Sequence, residues 1–179
     1  MTSTEYLEEL KLAIDRLTTE EIDKFVNLLY EAYINEKFIF IVGNGGSAST
    51  ASHFSCDLAK TVGRFKVIPL TDNIALITAL GNDEGYNKIF VGQIKNVISS
   101  RDILIAISGG GNSQSIIDAV IYANGVGAKT VGMTGLDGGI LKNIVYLPIR
   151  VPSNFTQHTE DLHMIICHLV TARLMEILK

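Results

Sequence analysis

Phe38-Ile39-Phe40-Ile41-Val42-Gly43-Asn44-Gly45-Gly46-Ser47 is the stretch on which the fold turns. Its first five residues are an unbroken apolar run, short enough for a strand buried on both faces. The run breaks into glycines, an asparagine and a serine, and a helix is expected from Ser47 onward. A strand that opens through such a turn into a helix offers backbone N–H groups and hydroxyls to an anion at the helix N-terminus. His53 and Asp57 then follow at i, i+4 and share one face of that helix. An anion cradle beside a histidine–carboxylate pair suggests a phosphorylated small molecule held next to a proton-transfer or metal site.

Outward from this stretch, strand and helix keep alternating. Strands rich in Ile and Val are expected over 38–42, 66–70, 102–107, 128–133 and 145–150. Helices are expected near 47–61, 73–80, 84–99, 113–126, 138–142 and 156–178. Upstream, Leu7, Leu10, Leu12, Ile14 and Leu17 mark a first amphipathic helix. Thr18-Thr19-Glu20-Glu21 offers capping chemistry to a second, whose apolar face is Phe25, Leu28, Leu29 and Tyr33. The expected architecture is one α/β domain spanning 1–179. Residues 37–179 form a five-stranded parallel sheet with helices on both faces, and 1–36 form a helical extension.

Composition narrows the function. Of the 179 residues 47% are hydrophobic and only 19% charged, a surplus of apolar side chains that points to contacts between subunits. The net charge is −4, and no block of Lys or Arg suggests a nucleic-acid groove. Cys56 and Cys167 show no metal-type spacing and read as reduced core cysteines. The acidic, helical start is unlike a signal peptide, and no uninterrupted apolar stretch reaches membrane-spanning length.

A second loop repeats the chemistry of the first. Ser108-Gly109-Gly110-Gly111-Asn112-Ser113 follows Ile103-Leu104-Ile105-Ala106-Ile107, so two strands end in Gly/Ser turns before helices that Ser47 and Ser113 are placed to cap. One such loop is no more than a tight turn, but two at the carboxyl ends of parallel strands favour a phosphate site. Neither carries the spaced glycines of a P-loop or a dinucleotide fingerprint, which argues against a nucleotide. On the last helix, Glu160, Met164 and His168 form an i, i+4, i+8 row. Placed against His53 and Asp57, that face yields two imidazoles and two carboxylates. The set suits a divalent cation such as Zn²⁺ and suits metal-free acid–base work on a carbohydrate equally well. His158 and His163 are expected at the surface or behind the site.

The residues resemble a known family. Gly43-Asn44-Gly45-Gly46-Ser47, His53-Phe54, Asn82-Asp83, Ser108-x-x-Gly111-Asn112-Ser113, Thr134-Gly135-x-Asp137-Gly138-Gly139, Val151-Pro152 and Glu160-Asp161-x-His163-x-x-x-x-His168 occur in this order. Together they are similar to the SIS (sugar isomerase) domain proteins of the phosphoheptose isomerase group, which convert sedoheptulose 7-phosphate to a manno-heptose 7-phosphate. The resemblance implies the SIS fold and a cytoplasmic homotetramer with active sites shared between subunits, serving surface-polysaccharide synthesis. It also implies one Zn²⁺ per subunit on His53, Asp57, Glu160 and His168. By the same resemblance the sugar phosphate lies on Asn44, Gly45, Gly46, Ser47, Asn82, Asp83, Ser108, Gly109, Gly110, Asn112 and Ser113.

Several positions depart from that family. Asp57 stands where the isomerases usually have Glu, and Glu160 where they have Gln. Gly109 and Gly110 replace hydroxyl residues, and Thr61 replaces an arginine, leaving Lys60 or Arg64 to substitute. The expected chemistry is aldose–ketose isomerisation. Asp57 or Glu160 takes the C1 proton, His168 serves the oxygen, and a metal stabilises the enediolate. Two alternatives stand beside it: a non-catalytic SIS module of the kind that binds a replication initiator, and an isomerase of a different phosphosugar.

Overall fold

Gly43, the last residue of the first strand, lies in register with Ile107, the last residue of the third. The two glycine-rich loops therefore rise side by side from adjacent parallel strands. A computed structural model describes residues 1–63 and 65–179. Arg64, one of the two substitutes for the missing arginine, lies outside the described residues. The strands are β1 (Phe38–Gly43), β2 (Lys66–Pro69), β3 (Ile103–Ile107), β4 (Lys129–Thr134) and β5 (Leu147–Arg150). All pairings are parallel, in the order β2-β1-β3-β4-β5. The chain runs outward to β2 and then crosses back to β3, which makes the β1/β3 gap the switch point where open α/β sheets bind ligands.

Alternation along the strands builds a core on each face of the sheet. Ile39, Ile41, Ile103 and Ile105 point one way, towards α2 (Thr19–Ile34), α3 (Gly46–Cys56) and α8 (Thr156–Ile177), burying Phe25, Phe54, Leu162 and Val170. Phe40, Val42, Leu104 and Ala106 point the other way, towards α5 (Val91–Ile94), α6 (Gln114–Gly125) and α7 (Leu141–Ile144). Each fully buried side chain of this size stabilises the fold by about 1.5–3 kcal/mol, so both helical layers are needed.

Some helices depart from the expected bounds for local reasons. The helix expected over 84–99 is a 3₁₀ turn at Tyr86–Lys88 followed only by α5. Gly85 at φ +98° interrupts it, and the Gln93 amide bonds the carbonyls of Leu70 and Ile89 at 2.9 and 2.6 Å. The helix expected at 138–142 starts instead at Leu141, because Gly138 and Gly139 sit at φ +70° and +52°. Neither expected serine cap forms. Ser47 lies inside α3, which begins after Gly45, and Ser113 at the N-cap of α6 makes no side-chain cap bond.

α1 (Ser3–Asp15) forms behind a capping box in which Thr2 and Glu5 exchange hydrogen bonds. Its expected apolar face is only partly used. Leu10 and Leu17 pack on the core, while Leu7, Leu12 and Ile14 remain exposed. α4 (Ile74–Asp83) is the most apolar helix by composition and buries none of its residues. Cys167 is buried, as expected, but Cys56 is exposed. His158 and His163 are both buried, which rules out the surface position considered for them.

Candidate active site

The turn Gly43–Ser47 needs its glycines. A β-carbon on Gly43 would run into the backbone of Ser47, Gly45 holds φ +57°, and a β-carbon on Gly46 would strike the Glu160 carboxylate. The second loop needs Gly111, which sits at φ +66° with no room for a side chain against the Gly138 carbonyl. A third loop after β4 braces it. The Gly135 N–H donates to Gly109 O at 2.8 Å, and the Leu141 N–H donates to Gly111 O at 3.0 Å. Asn112 ties the two loops together, donating from Nδ2 to Gly110 O and accepting at Oδ1 from the Ile140 N–H, both at 3.0 Å.

These loops enclose a cavity of about 420 Å³, within the range of small-molecule sites. Asn44, Ser47, Ser108, Gly109, Gly110, Asn112, Ser113 and Glu160 line it. Gly45 and Gly46 form the turn beside it. Asn82 and Asp83 lie at the exposed end of α4, hydrogen-bonded to each other at 2.7 Å and away from the cavity lining. The lining also includes Asp137, Asn154, Thr156 and Thr159, to which the sequence reading gave no role. The signal for Asp137 was present: it sits in a third glycine-rich turn beyond a strand. The first turns of α3, α6 and α8 all meet at this cavity, and helix N-termini attract negative groups.

Beyond the cavity, α3 and α8 bring the two histidines together. His53 Nε2 and His168 Nε2 are 3.0 Å apart, and Asp57 Oδ2 is 3.6 Å from His53 Nε2. His53, Asp57 and His168 each offer a ligand atom within 4.8 Å of the others. Glu160, the fourth expected ligand, is not in this group. It lies against Gly46, which precedes His53 by two turns, about 10 Å along α3. The donor set fits a tetrahedral cation, in which neighbouring nitrogens or oxygens at Zn–N distances near 2.05 Å would be about 3.3 Å apart.

Asp57 stands where α3 changes into a π-helix, Asp57–Gly63. Such widened turns occur disproportionately at functional sites. Asp57 lies one α-helical turn beyond His53, and the Thr61 hydroxyl donates to Asp57 Oδ1 at 3.3 Å. Thr61 thus bonds the site carboxylate. Asp161, next to Glu160, faces away and accepts from the Tyr6 hydroxyl of α1. Behind the site, burial lowers the pKa of His163 to about 4, so its imidazole is neutral. Burial also raises the Cys167 thiol well above its ordinary value, leaving it protonated and unreactive.

Residues 5–135 match the SIS domain family. The phosphoheptose isomerase of Geobacter metallireducens is 36% identical over 177 residues, covering 95% of this chain and 92% of that protein. That of Syntrophotalea carbinolica is 37% identical, covering 92% of this chain and 87% of its own. Among solved structures, the phosphoheptose isomerase of Neisseria gonorrhoeae superposes with a TM-score of 0.91 at 26% identity, covering 96% of this chain and 95% of that one. The Francisella tularensis phosphoheptose isomerase gives the same TM-score, 0.91, at 29% identity, covering 97% of this chain and 98% of that one. With its five-stranded parallel sheet and its glycine-serine loops at the switch point, the chain belongs to the SIS domain family and, within it, to the aldose–ketose isomerases of the phosphoheptose isomerase group.

Proposed function

We propose that the protein interconverts sedoheptulose 7-phosphate and D-glycero-D-manno-heptose 7-phosphate. The observation that carries this reading is the single stretch of α3 and α8 that borders a hydroxyl- and amide-lined cavity at one end and holds His53, Asp57 and His168 at the other. The phosphate lies on Ser47, Ser108 and Ser113 and the N–H groups of Gly109 and Gly110. It supplies binding energy and register far from the reacting carbons.

Of the two expected proton acceptors, Glu160 is better placed than Asp57 to meet the sugar, because it lines the cavity, whereas Asp57 is engaged with His53 and Thr61. In the ketose-to-aldose direction Glu160 takes a proton from C1 while His168 gives one to the C2 carbonyl oxygen. The resulting enediol then receives the C1 proton at C2 as His168 takes the proton from O1. No atom is gained or lost, and both groups return to their starting states. A divalent cation, Zn²⁺ by the family's pattern, would be held by His53, Asp57 and His168, and Glu160 remains the fourth candidate. Bound there it would occupy the His168 nitrogen and, in place of the His168 proton, polarise the sugar carbonyl and stabilise the charge that develops on it.

The uncovered apolar helix α4 and the exposed Leu7, Leu12 and Ile14 of α1 support a homo-oligomer, a tetramer by the family's pattern. Because α4 ends at Asn82 and Asp83, its docking on another copy would bring that pair to a shared site. Among the described residues no helix is long and apolar enough to cross a membrane. A sugar-phosphate substrate supports a role in cytoplasmic sugar-phosphate metabolism that feeds surface-polysaccharide synthesis.

The test is a panel of C5, C6 and C7 sugar phosphates, followed by NMR with and without chelator. Turnover confined to the heptose phosphate is the expected result. Turnover of another sugar moves the substrate assignment, and no turnover on any of them rejects the isomerase in favour of a binding module.

A further inference from the structure

Tyr86 is 62% exposed, yet its side chain is not free. Its hydroxyl donates to Asn44 Oδ1 at 2.8 Å, joining segments 42 residues apart. Asn44 in turn donates from Nδ2 to Ser115 Oγ at 3.0 Å, and Ser115 is buried. A primary amide has two N–H donors and two lone pairs. With one of each engaged, Asn44 keeps one N–H and one lone pair for the cavity it lines. Both neighbours are hydroxyls, able to donate or accept, so the plane of the amide is held whichever way its oxygen points.

The turn carrying Tyr86 is fixed from its other side. Asn87 Nδ2 and Lys88 Nζ both donate to Asp118 Oδ2, at 3.2 and 2.9 Å. Gln114 Nε2 holds the other oxygen, Oδ1, at 2.6 Å. Burial opposes the charge of Asp118, but the hydrogen bonds from Gln114, Lys88 and Asn87 outweigh it and keep the carboxyl below its usual range. Ser115 and Asp118 both belong to α6, the helix that starts at the second glycine loop. One helix therefore anchors both ends of a chain running Ser115, Asn44, Tyr86, then Asn87 and Lys88, and Asp118.

We propose that Tyr86 is a positioning residue that holds Asn44 in the orientation in which it meets the bound sugar, with Asp118 holding Tyr86 in place. The proposal rests on the sugar-phosphate reading of the cavity. Without the phenol, the Asn44 amide is anchored at one corner only and can turn about its last torsion. Small displacements of a positioning group cost rate steeply.

A double-mutant cycle tests it. Tyr86→Phe keeps the ring and is expected to lower kcat/KM for sedoheptulose 7-phosphate about tenfold. Asp118→Asn weakens the anchor and is expected to give a smaller loss in the same direction. Asn44→Ala is expected to cost more, and adding Tyr86→Phe to it should cost nothing further. Additive losses overturn the proposal. A second arm needs no turnover: the crystal structure of ligand-free Tyr86→Phe. A rotated or disordered Asn44 amide supports the proposal, and an amide unmoved and well ordered overturns it. If the wild-type protein turns over no heptose phosphate, the substrate reading fails by itself, and the crystal structure still decides the role of Tyr86.

Discussion

The Nε2 atoms of His53 and His168 lie 3.0 Å apart, although 115 residues separate them in the chain. Two imidazole nitrogens this close cannot both carry a proton without strong repulsion, so the pair is arranged to share one proton or one cation. Asp57, 3.6 Å from His53 Nε2, adds the negative charge that favours the cation.

Metal content tests that arrangement directly. The purified protein is expected to hold one zinc per subunit by elemental analysis, and His168→Gln to hold less than about a tenth of that, since it removes one of three nitrogen and oxygen donors. Full zinc occupancy in the variant would dismiss the His53–Asp57–His168 group as the metal site.

The two carboxylates should separate by their effects. Glu160→Gln, at the cavity, is expected to lower kcat by about 10²–10⁴ with little change in KM, as for loss of a proton-transfer group. Asp57→Asn is expected to reduce zinc retention first, with activity partly restored by added metal. The reverse pattern would exchange their roles.

Two glycines probe site and fold separately. Gly46→Ala places a methyl against the Glu160 carboxylate, the end of a flexible side chain. Activity is expected to fall at least tenfold while Tm stays within about 2 °C of the wild type. Gly111→Ala forces a side chain into φ +66° and against the Gly138 carbonyl. It is expected to cost about 2–3 kcal/mol, a fall in Tm of roughly 5–10 °C. Equal stability in both variants would contradict the packing described.

Acid stability should depend on His163. Its folded-state pKa, about 4, lies below the ordinary value of 6.5. The folded protein therefore binds fewer protons between these limits than the unfolded chain. The stability linked to the neutral imidazole is complete above about pH 6.5 and is lost as pH falls towards 4, on the order of 3 kcal/mol in all. Thermal melts at pH 7 and pH 4.5 should show a smaller drop for His163→Leu than for the wild type; parallel drops would refute this.

Ile74 is 71% exposed on the uncovered helix α4. Ile74→Glu is expected to break the proposed oligomer into smaller species in light scattering, because a charge in an apolar interface is costly. An assembly of unchanged size would remove α4 from the interface.

Much of this was legible in advance. All five strands lie within two residues of their expected bounds, because a buried parallel strand is a local apolar run between turn signals. Gly43, Gly46 and Gly111 could be read as turn residues for the same reason. The broken helix after Gly85 was not legible, since it depends on Asp118 drawing Asn87 and Lys88 to another helix. Nor was the π-helical turn at Asp57, because its residues are compatible with an ordinary α-helix.

The sequence by itself determined the order of elements, the glycine turns at the switch point and the side chains able to do chemistry. Those follow from periodicity and backbone sterics, which act over a few residues. Only the tertiary structure decided that His168 meets His53, that Glu160 rests on Gly46 near the cavity, and that α4 leaves its apolar residues uncovered. Spacing fixes where a side chain points around its own helix axis. How far it lies from a partner on another helix depends on how both helices pack against the sheet.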